Sequence, residues 1–182
     1  MRAWLLALLC GAVAATGAGA EGEAQACVGD TCPAKPLDVA LFKAAFIGDA
    51  KKVKKHLKLG ANPNWAFTGK INSVLDARLP SPKGSKLTPM HAAAWSGSKK
   101  ALRRLLKAGG DANARSSDLS TPLIFAVMRN HAAAVKVLLK AGAATAPTDD
   151  GGMTAADWAD DQDNAEIEAM LAAASASAPA AA

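Results

Sequence analysis

Apolar residues recur every three or four positions in several short stretches of the chain, which is the spacing of a helix with one buried face. In the stretch KKALRRLLK, Leu102, Leu105 and Leu106 share one side, and the lysines and arginines occupy the other. Gly109 follows at the usual place of a left-handed helix terminus. The pattern predicts a short amphipathic helix that begins near Ser98.

A different kind of short helix is predicted just upstream. Thr88 can cap it, Pro89 fits its first turn, and the alanines that follow let it pack close to its neighbours. Much of the 51% hydrophobic content of the chain is alanine, and aromatic residues make up only 4%. This composition favours short, closely packed helices over an aromatic-filled core or a sheet sandwich.

The two kinds of helix recur at a fixed interval. Thr88-Pro89, Thr121-Pro122 and Thr154-Ala155 are spaced by 33 residues, and LLKAGGDAN and LLKAGAATA keep the same interval. The related segment HLKLGANPN lies 49 residues before its successor, so 16 residues have been inserted between these two units. Short units of this kind bury their apolar faces only by stacking on one another.

These motifs resemble the ankyrin repeat, whose period and T-P-L-H-x-A pattern they share. The resemblance covers about residues 37–173. It implies an all-α solenoid of about four helix-turn-helix units with finger loops and one long insertion between units 1 and 2. The first unit lacks Thr-Pro and the fourth lacks the Leu-Leu-x-x-Gly ending, which suits units that face water on one side. The expected bounds are 37–66, 83–115, 116–148 and 149–173 for the units and 67–82 for the insertion.

The resemblance also bears on the histidines. His91 follows Thr-Pro-hydrophobic, where ankyrin repeats carry a structural hydrogen-bonding histidine, and its counterparts are Phe42, Ile124 and Asp157. The sequence contains no G-x-S-x-G, no H-E-x-x-H and no phosphate loop. We therefore expect no enzymatic activity, no catalytic residue and no cofactor. The alternative, a hydrolase-like enzyme that uses the insertion, has no nucleophile–base pair to support it.

The acidic stretch DDGGMTAADWADDQD raises the question of a calcium site. Its spacing does not fit the D-x-[DN]-x-[DN]-G pattern, and helical geometry would scatter its carboxylates over several faces. We expect a solvated cap at this end of the repeats and no metal site.

The N-terminus predicts export. Residues 1–20 combine Arg2, an apolar run and a small-residue ending, which is the plan of a cleavable signal peptide; an uncleaved anchor is the alternative. Residues 21–36 form a linker in which Cys27 and Cys32 are expected to form a disulfide, with a metal half-site as the alternative. We expect a periplasmic protein, or else a secreted one. Residues 174–182 are expected to be a disordered Ala/Ser tail.

Charge is unevenly distributed along the chain. Between residues 35 and 107 there are sixteen Lys and Arg against three Asp, whereas residues 108–182 contain four basic and ten acidic residues. The basic runs KKVKKHLK and KKALRRLLK fall on second helices, which form the convex side of an ankyrin stack. This pattern indicates either a solvated helix exterior or attraction to an anionic membrane or an acidic protein. Nucleic acid is not expected as a partner because base-reading and aromatic motifs are absent.

Aligning the units predicts a binding surface. In ankyrin repeats, the two positions after the buried small residues of the first helix are solvent-facing and contact ligands. We therefore predict a monomeric, exported protein-binding module that acts as a scaffold, inhibitor or immunity partner; binding to anionic membranes is the alternative. One column holds Phe46, Trp95, Met128 and Asp161, the next holds Ile47, Ser96, Arg129 and Gln162, and the finger loops add Trp65, Arg115, Asp118 and Asp150.

Overall fold

Eight helices follow one another in pairs along residues 36–67 and 86–177, which are the residues that the computed structural model describes. Within these ranges, extended pairing is limited to isolated bridges, so the architecture is all-α as predicted. The helices are α1 (Pro36–Ile47), α2 (Ala50–Lys58), α3 (Pro89–Trp95), α4 (Lys99–Lys107), α5 (Pro122–Met128), α6 (Ala132–Lys140), α7 (Ala155–Asp160) and α8 (Ala165–Ser177).

The helix ends follow from local sequence. Thr121 caps α5 by accepting a hydrogen bond from the Ile124 N–H, and proline occupies the first turn of both α3 and α5. Ser98 caps α4 in the same way, and Gly109 follows that helix at a φ of +82°. Glycine adopts this left-handed backbone conformation at little cost, so the helix ends where the sequence predicts.

The helices form two layers. The first helices of the units, α1, α3, α5 and α7, each contact the next one along the chain, and the second helices, α2, α4, α6 and α8, do the same. Ala92, Ala93 and Ala94 have at most 1% of their surface exposed, and side chains this small let the first helices approach closely. Each unit thus buries its apolar face against its neighbours, which is the stacking that the repeat pattern predicts.

The second helices supply larger apolar side chains to the core. Val53, Leu102 and Val135 occupy equivalent positions in α2, α4 and α6, and none has exposed surface. Burying one such side chain stabilises a fold by roughly 1.5–3 kcal/mol. The helices are short, so most of their stability comes from this packing and not from helix propensity.

Asparagine side chains link successive finger loops. Asn64 donates from Nδ2 to the Gly109 carbonyl (2.9 Å) and accepts from the Asp111 N–H (2.8 Å). Asn113 accepts from the Ala144 N–H (2.8 Å) in the same manner one unit later. These bonds fix the spacing of the loops and satisfy backbone groups that would otherwise lack a protein partner.

The long insertion leaves the domain from a short hairpin. Phe67 donates to the Leu87 carbonyl (2.8 Å) and accepts from the Leu87 N–H (3.3 Å), so these two residues close its base. The repeat alignment assigns Phe67 to the insertion, but its ring stacks on Phe42 (5.6 Å between centroids) and meets Trp65 edge-on (5.8 Å). Phe67 therefore belongs to the packed domain, and the rest of the predicted insertion, residues 68–82, lies outside the described residues.

The C-terminal bound also differs from expectation. Helix α8 continues through Ser177, four residues past the expected end of the repeats at 173. Ile167 and Leu171 pack in the core, and the alanine-rich sequence that follows continues the helix. The predicted signal peptide, Cys27, Cys32 and the last five residues lie outside the described residues. No helix within 36–67 and 86–177 is both long and apolar enough to span a membrane.

Candidate functional site

His91 is a buried structural residue, as predicted. Its Nδ1 accepts from the Thr88 N–H (3.2 Å) and lies 2.9 Å from the Thr88 hydroxyl, and its Nε2 lies 3.2 Å from the Ser120 carbonyl. Because the Thr88 amide can only donate, Nδ1 carries no proton and Nε2–H donates to Ser120. Burial lowers the pKa of His91 to about 4, so the ring is neutral near pH 7.

The ends of the first helices lie side by side and form a continuous surface. The Ser96 hydroxyl donates to the Ala45 carbonyl (3.0 Å), which joins the ends of α3 and α1. The His131 Nε2 lies 3.1 Å from the Trp95 carbonyl, which joins the turn after α5 to the end of α3. We call this surface the first-helix end row, and it comprises Phe46, Ile47, Trp95, Ser96, Met128, Arg129, Asp161 and Gln162.

Trp95 is half-buried, whereas its column was expected to face solvent. Its ring meets the edge of Phe125 at 5.9 Å between centroids, and the Arg129 guanidinium lies 4.5 Å above it. The two partners come from the next unit, α5 and its C-terminal cap. Trp95 thus contributes to packing between units, and part of its surface still reaches solvent.

The other members of the row differ in exposure. Ile47 is 68% exposed and Arg129 is exposed, so both are available to a partner. Phe46 and Met128 are half-buried and pack against the core. The half-buried hydroxyl of Ser96 is engaged by the backbone of Ala45 and Ala93, so its clearest role is structural. Asp161 is exposed and Gln162 is half-buried.

The finger-loop residues also divide into packed and open ones. Trp65 is only 9% exposed because it lies against Phe67, so packing accounts for it. Arg115 is exposed and donates to the Thr148 carbonyl (2.9 Å) of the next loop. Asp118 is half-buried and accepts from Ser116 and Ser120. Asp150 is exposed, and its N–H donates to the Asp118 carbonyl (3.0 Å).

A family model for ankyrin repeats, in three copies, matches residues 40–149 and 90–179 of this chain. The chain belongs to the ankyrin-repeat family. Ankyrin repeats are protein–protein interaction modules and are generally not enzymes. A search of curated proteins found no match to this chain.

One exposed residue of this ankyrin domain was missed by the sequence prediction. Leu119, at the hairpin tip between units 2 and 3, is 46% exposed and adopts a φ of +57°. The equivalent residue one unit later is Gly152, at a φ of +79°. A leucine in the left-handed region is strained, and strain at an exposed apolar residue points to a role in binding. Alignment of the units by 33 residues sets Leu119 against Gly152 and could have revealed it.

The acidic stretch is solvated as expected except at Asp149, since its other aspartates, Asp150, Asp157, Asp160, Asp161 and Asp163, are exposed. Asp149 is 8% exposed and accepts from the N–H groups of Gly151 and Met153 (both 2.9 Å) and from the Trp158 Nε1 (2.7 Å). Thr154 caps α7 and Asp157 completes a capping box with it, and the hydrogen bonds from the Thr154 hydroxyl and N–H lower the pKa of the Asp157 carboxyl group. The stretch therefore holds the fourth ankyrin unit together. Within the described residues, no group of three or more His, Cys, Asp and Glu is placed to hold a metal ion.

Proposed function

We propose that this protein is an exported ankyrin module that binds another exported protein as its scaffold, inhibitor or immunity-type accessory partner. The observation that carries the proposal is the first-helix end row, where exposed Arg129 lies over the half-buried Trp95 and exposed Ile47 ends the helix of the preceding unit. Tryptophan and arginine provide binding energy at interfaces more often than other residues. The row therefore combines an apolar surface with a positioned cation.

The Arg129–Trp95 stack supports the proposal further because it is already formed in the free protein. A side chain held over a ring loses less conformational freedom on binding than one that moves freely. Ile47 extends the apolar surface toward unit 1, and Asp161 adds an opposite charge toward unit 4. A partner with an apolar centre and a carboxylate near Arg129 would fit this arrangement.

The best test compares two exposed apolar residues of the same kind. Ile47 is 68% exposed in the row, and Leu59 is 60% exposed at the end of α2 in the other layer. The partner would be captured from the native exported fraction with the full chain and identified by mass spectrometry. We expect Ile47→Asp to weaken binding by at least roughly tenfold and Leu59→Asp to leave it unchanged, with similar melting temperatures for both. Equal binding by the two variants would contradict the proposal.

Export itself rests on the sequence of residues 1–20 and on the cysteine pair. Fractionation of cells that express the full chain, with intact mass measured before and after reduction and alkylation, tests both. We expect the chain outside the cytoplasm, shortened near residue 20, with Cys27 and Cys32 bonded. A chain of full mass in the cytoplasm with free thiols would rule out this part of the proposal and leave protein binding to be tested separately.

A further inference from the structure

The exposed faces of α2, α4 and α6 share an unusual charge pattern. These helices contain no Asp or Glu, and the end of the layer away from α8 is strongly basic. Because the three helices lie side by side and have the same length, equivalent positions come next to each other. Two rows of exposed cations result, which we call the basic rows: Lys54, Arg103 and Lys136 in one, and Lys58, Lys107 and Lys140 in the other.

The charges of these rows reinforce one another. Packed helices are roughly 8–10 Å apart, which is close to the screening length of about 8 Å at physiological salt. None of the six cations forms an ion pair with a residue of 36–67 or 86–177; the ion pair on these helices joins Lys52 to Asp49 (3.5 Å). Aligned like charges oppose folding to a small extent. A layer that served only as a soluble exterior would gain from acidic residues such as Glu166 and Glu168 of α8.

We infer that the basic rows form a docking surface for an anionic lipid bilayer. Five of the six row cations are lysines, which act as flexible point charges and suit the mobile phosphates of lipid headgroups. Protein interfaces are depleted in lysine and rely on aromatic anchors, but α2, α4 and α6 contain no Phe, Trp or Tyr. Surfaces that bind single-stranded nucleic acid use aromatic stacking as well. Rows made mostly of lysines, without aromatic anchors, fit a lipid surface best.

This surface lies on the second-helix layer, whereas the first-helix end row lies on the other layer. The two surfaces can therefore be occupied at the same time. Lipid binding does not depend on the proposed function, because the residues that would mediate it are different. A chain that used both surfaces would hold its protein partner at a membrane.

The experiment is cosedimentation of the full chain with phosphatidylcholine vesicles that contain or lack phosphatidylglycerol, at low and high salt. The row variant is Lys54→Gln, Arg103→Gln and Lys136→Gln. The control variant, Lys43→Gln, Arg115→Gln and Arg129→Gln, removes the same charge from exposed positions outside the second helices. We expect salt-sensitive binding of the wild type to anionic vesicles only, a loss of at least roughly tenfold in the row variant and a smaller loss in the control.

Three results would overturn the inference. Equal binding to neutral and anionic vesicles would remove the role of charge, and equal losses in the two variants would show that net charge alone matters. Binding to soluble polyphosphate with no binding to vesicles would assign the rows to a soluble polyanion instead. Because all six substituted residues are exposed, melting curves are expected to show folded variants. Capture of the protein partner by the row variant is expected to equal that of the wild type.

Discussion

A buried histidine makes the stability of this domain depend on pH. The pKa of His91 is about 4 in the folded protein, against 6.5 for an ordinary histidine, because burial disfavours the charged ring. Between these values the unfolded chain binds a proton that the folded chain does not, so acid favours unfolding. The contribution of neutral His91 is complete above about pH 6.5 and is lost as the pH falls toward 4.

We predict that lowering the pH from 7 to 5 reduces the free energy of unfolding by about 2 kcal/mol through His91 alone. Urea unfolding curves of the wild type and His91→Gln at both pH values measure this. The variant is expected to be less stable at pH 7, since it disturbs the bonds to Thr88 and Ser120, but to lose less stability on acidification. Other titrating groups contribute equally to both proteins, so parallel losses would contradict the prediction.

A substitution at Leu119 tests whether the backbone strain at this residue serves binding. Replacing a leucine at a φ of +57° by glycine relieves roughly 1–2 kcal/mol of backbone strain and adds roughly 0.5–1 kcal/mol of unfolded-state entropy. We predict that Leu119→Gly raises the free energy of unfolding by up to about 1 kcal/mol and weakens partner binding. Asp163→Gly, at a φ of +51°, is the control, because Asp tolerates this conformation better. A destabilised Leu119→Gly would show that the side chain contributes more to packing than its 46% exposure suggests.

At the scale of elements, the turn between α3 and α4 is tightly packed against the next unit. Gly97 follows α3 at a φ of +66°, and a Cβ atom there would lie 2.6 Å from the His131 ring. Gly109 follows α4 at a φ of +82° and has no atom within 4 Å of such a Cβ. The two glycines therefore share a backbone conformation and differ in the space around them.

We predict that Gly109→Ala costs about 1 kcal/mol of stability, because only the backbone is strained. Gly97→Ala is expected to cost roughly 1–3 kcal/mol more, because the new methyl group also displaces the His131 ring. A double-mutant cycle tests this explanation. Denaturant unfolding is measured for Gly97→Ala, for His131→Ala and for the variant with both changes, beside Gly109→Ala. The additional cost should shrink when the ring is removed; additive effects would mean that the turn shifts freely.

At the scale of the whole molecule, the insertion interrupts the repeats without interrupting the core. It begins and ends at the base of a hairpin. The equivalent hairpin of the next unit has no insertion, and there the Ser116 N–H donates to the Ser120 carbonyl (3.0 Å). Phe67 and Leu87 close the corresponding hairpin, and both pack toward the core. The domain therefore needs the two ends of the insertion and not its length.

We predict that replacing residues 68–86 by the three-residue turn of 150–152 leaves the domain folded. Its free energy of unfolding should be unchanged or up to about 2 kcal/mol higher, since loop closure becomes easier. If the insertion takes part in recognition, the same variant binds its partner more weakly. The control, Phe67→Ala in the full-length loop, should lose stability because it removes the stack on Phe42. Thermal unfolding measures the effect on stability, and partner capture measures the effect on binding. An unfolded deletion variant would refute the prediction that the domain stays folded.

The sequence by itself determined the helix pairs and their stacking. Caps such as Thr88 and Thr121, the spacing of Leu102 and Leu105 and the left-handed residue Gly109 act within one or two turns, so they can be read locally. The 33-residue period then fixes the architecture, because one unit cannot bury its apolar face alone. The hydrogen-bonding role of His91 came from its place in the repeat.

Only the tertiary structure decided how much of each candidate side chain is exposed. Trp95 is half-buried because Phe125 and Arg129 reach it from the next unit, and Asp149 is buried because Trp158 closes over it. Phe67 belongs to the core because it pairs with Leu87 across the base of the insertion. The inserted residues separate these two positions in the sequence, so the repeat pattern does not reveal the pairing. These contacts join residues that are too far apart in the sequence for a local pattern to predict them. Burial depends on which side chains meet across units, and that is settled only when the units pack together.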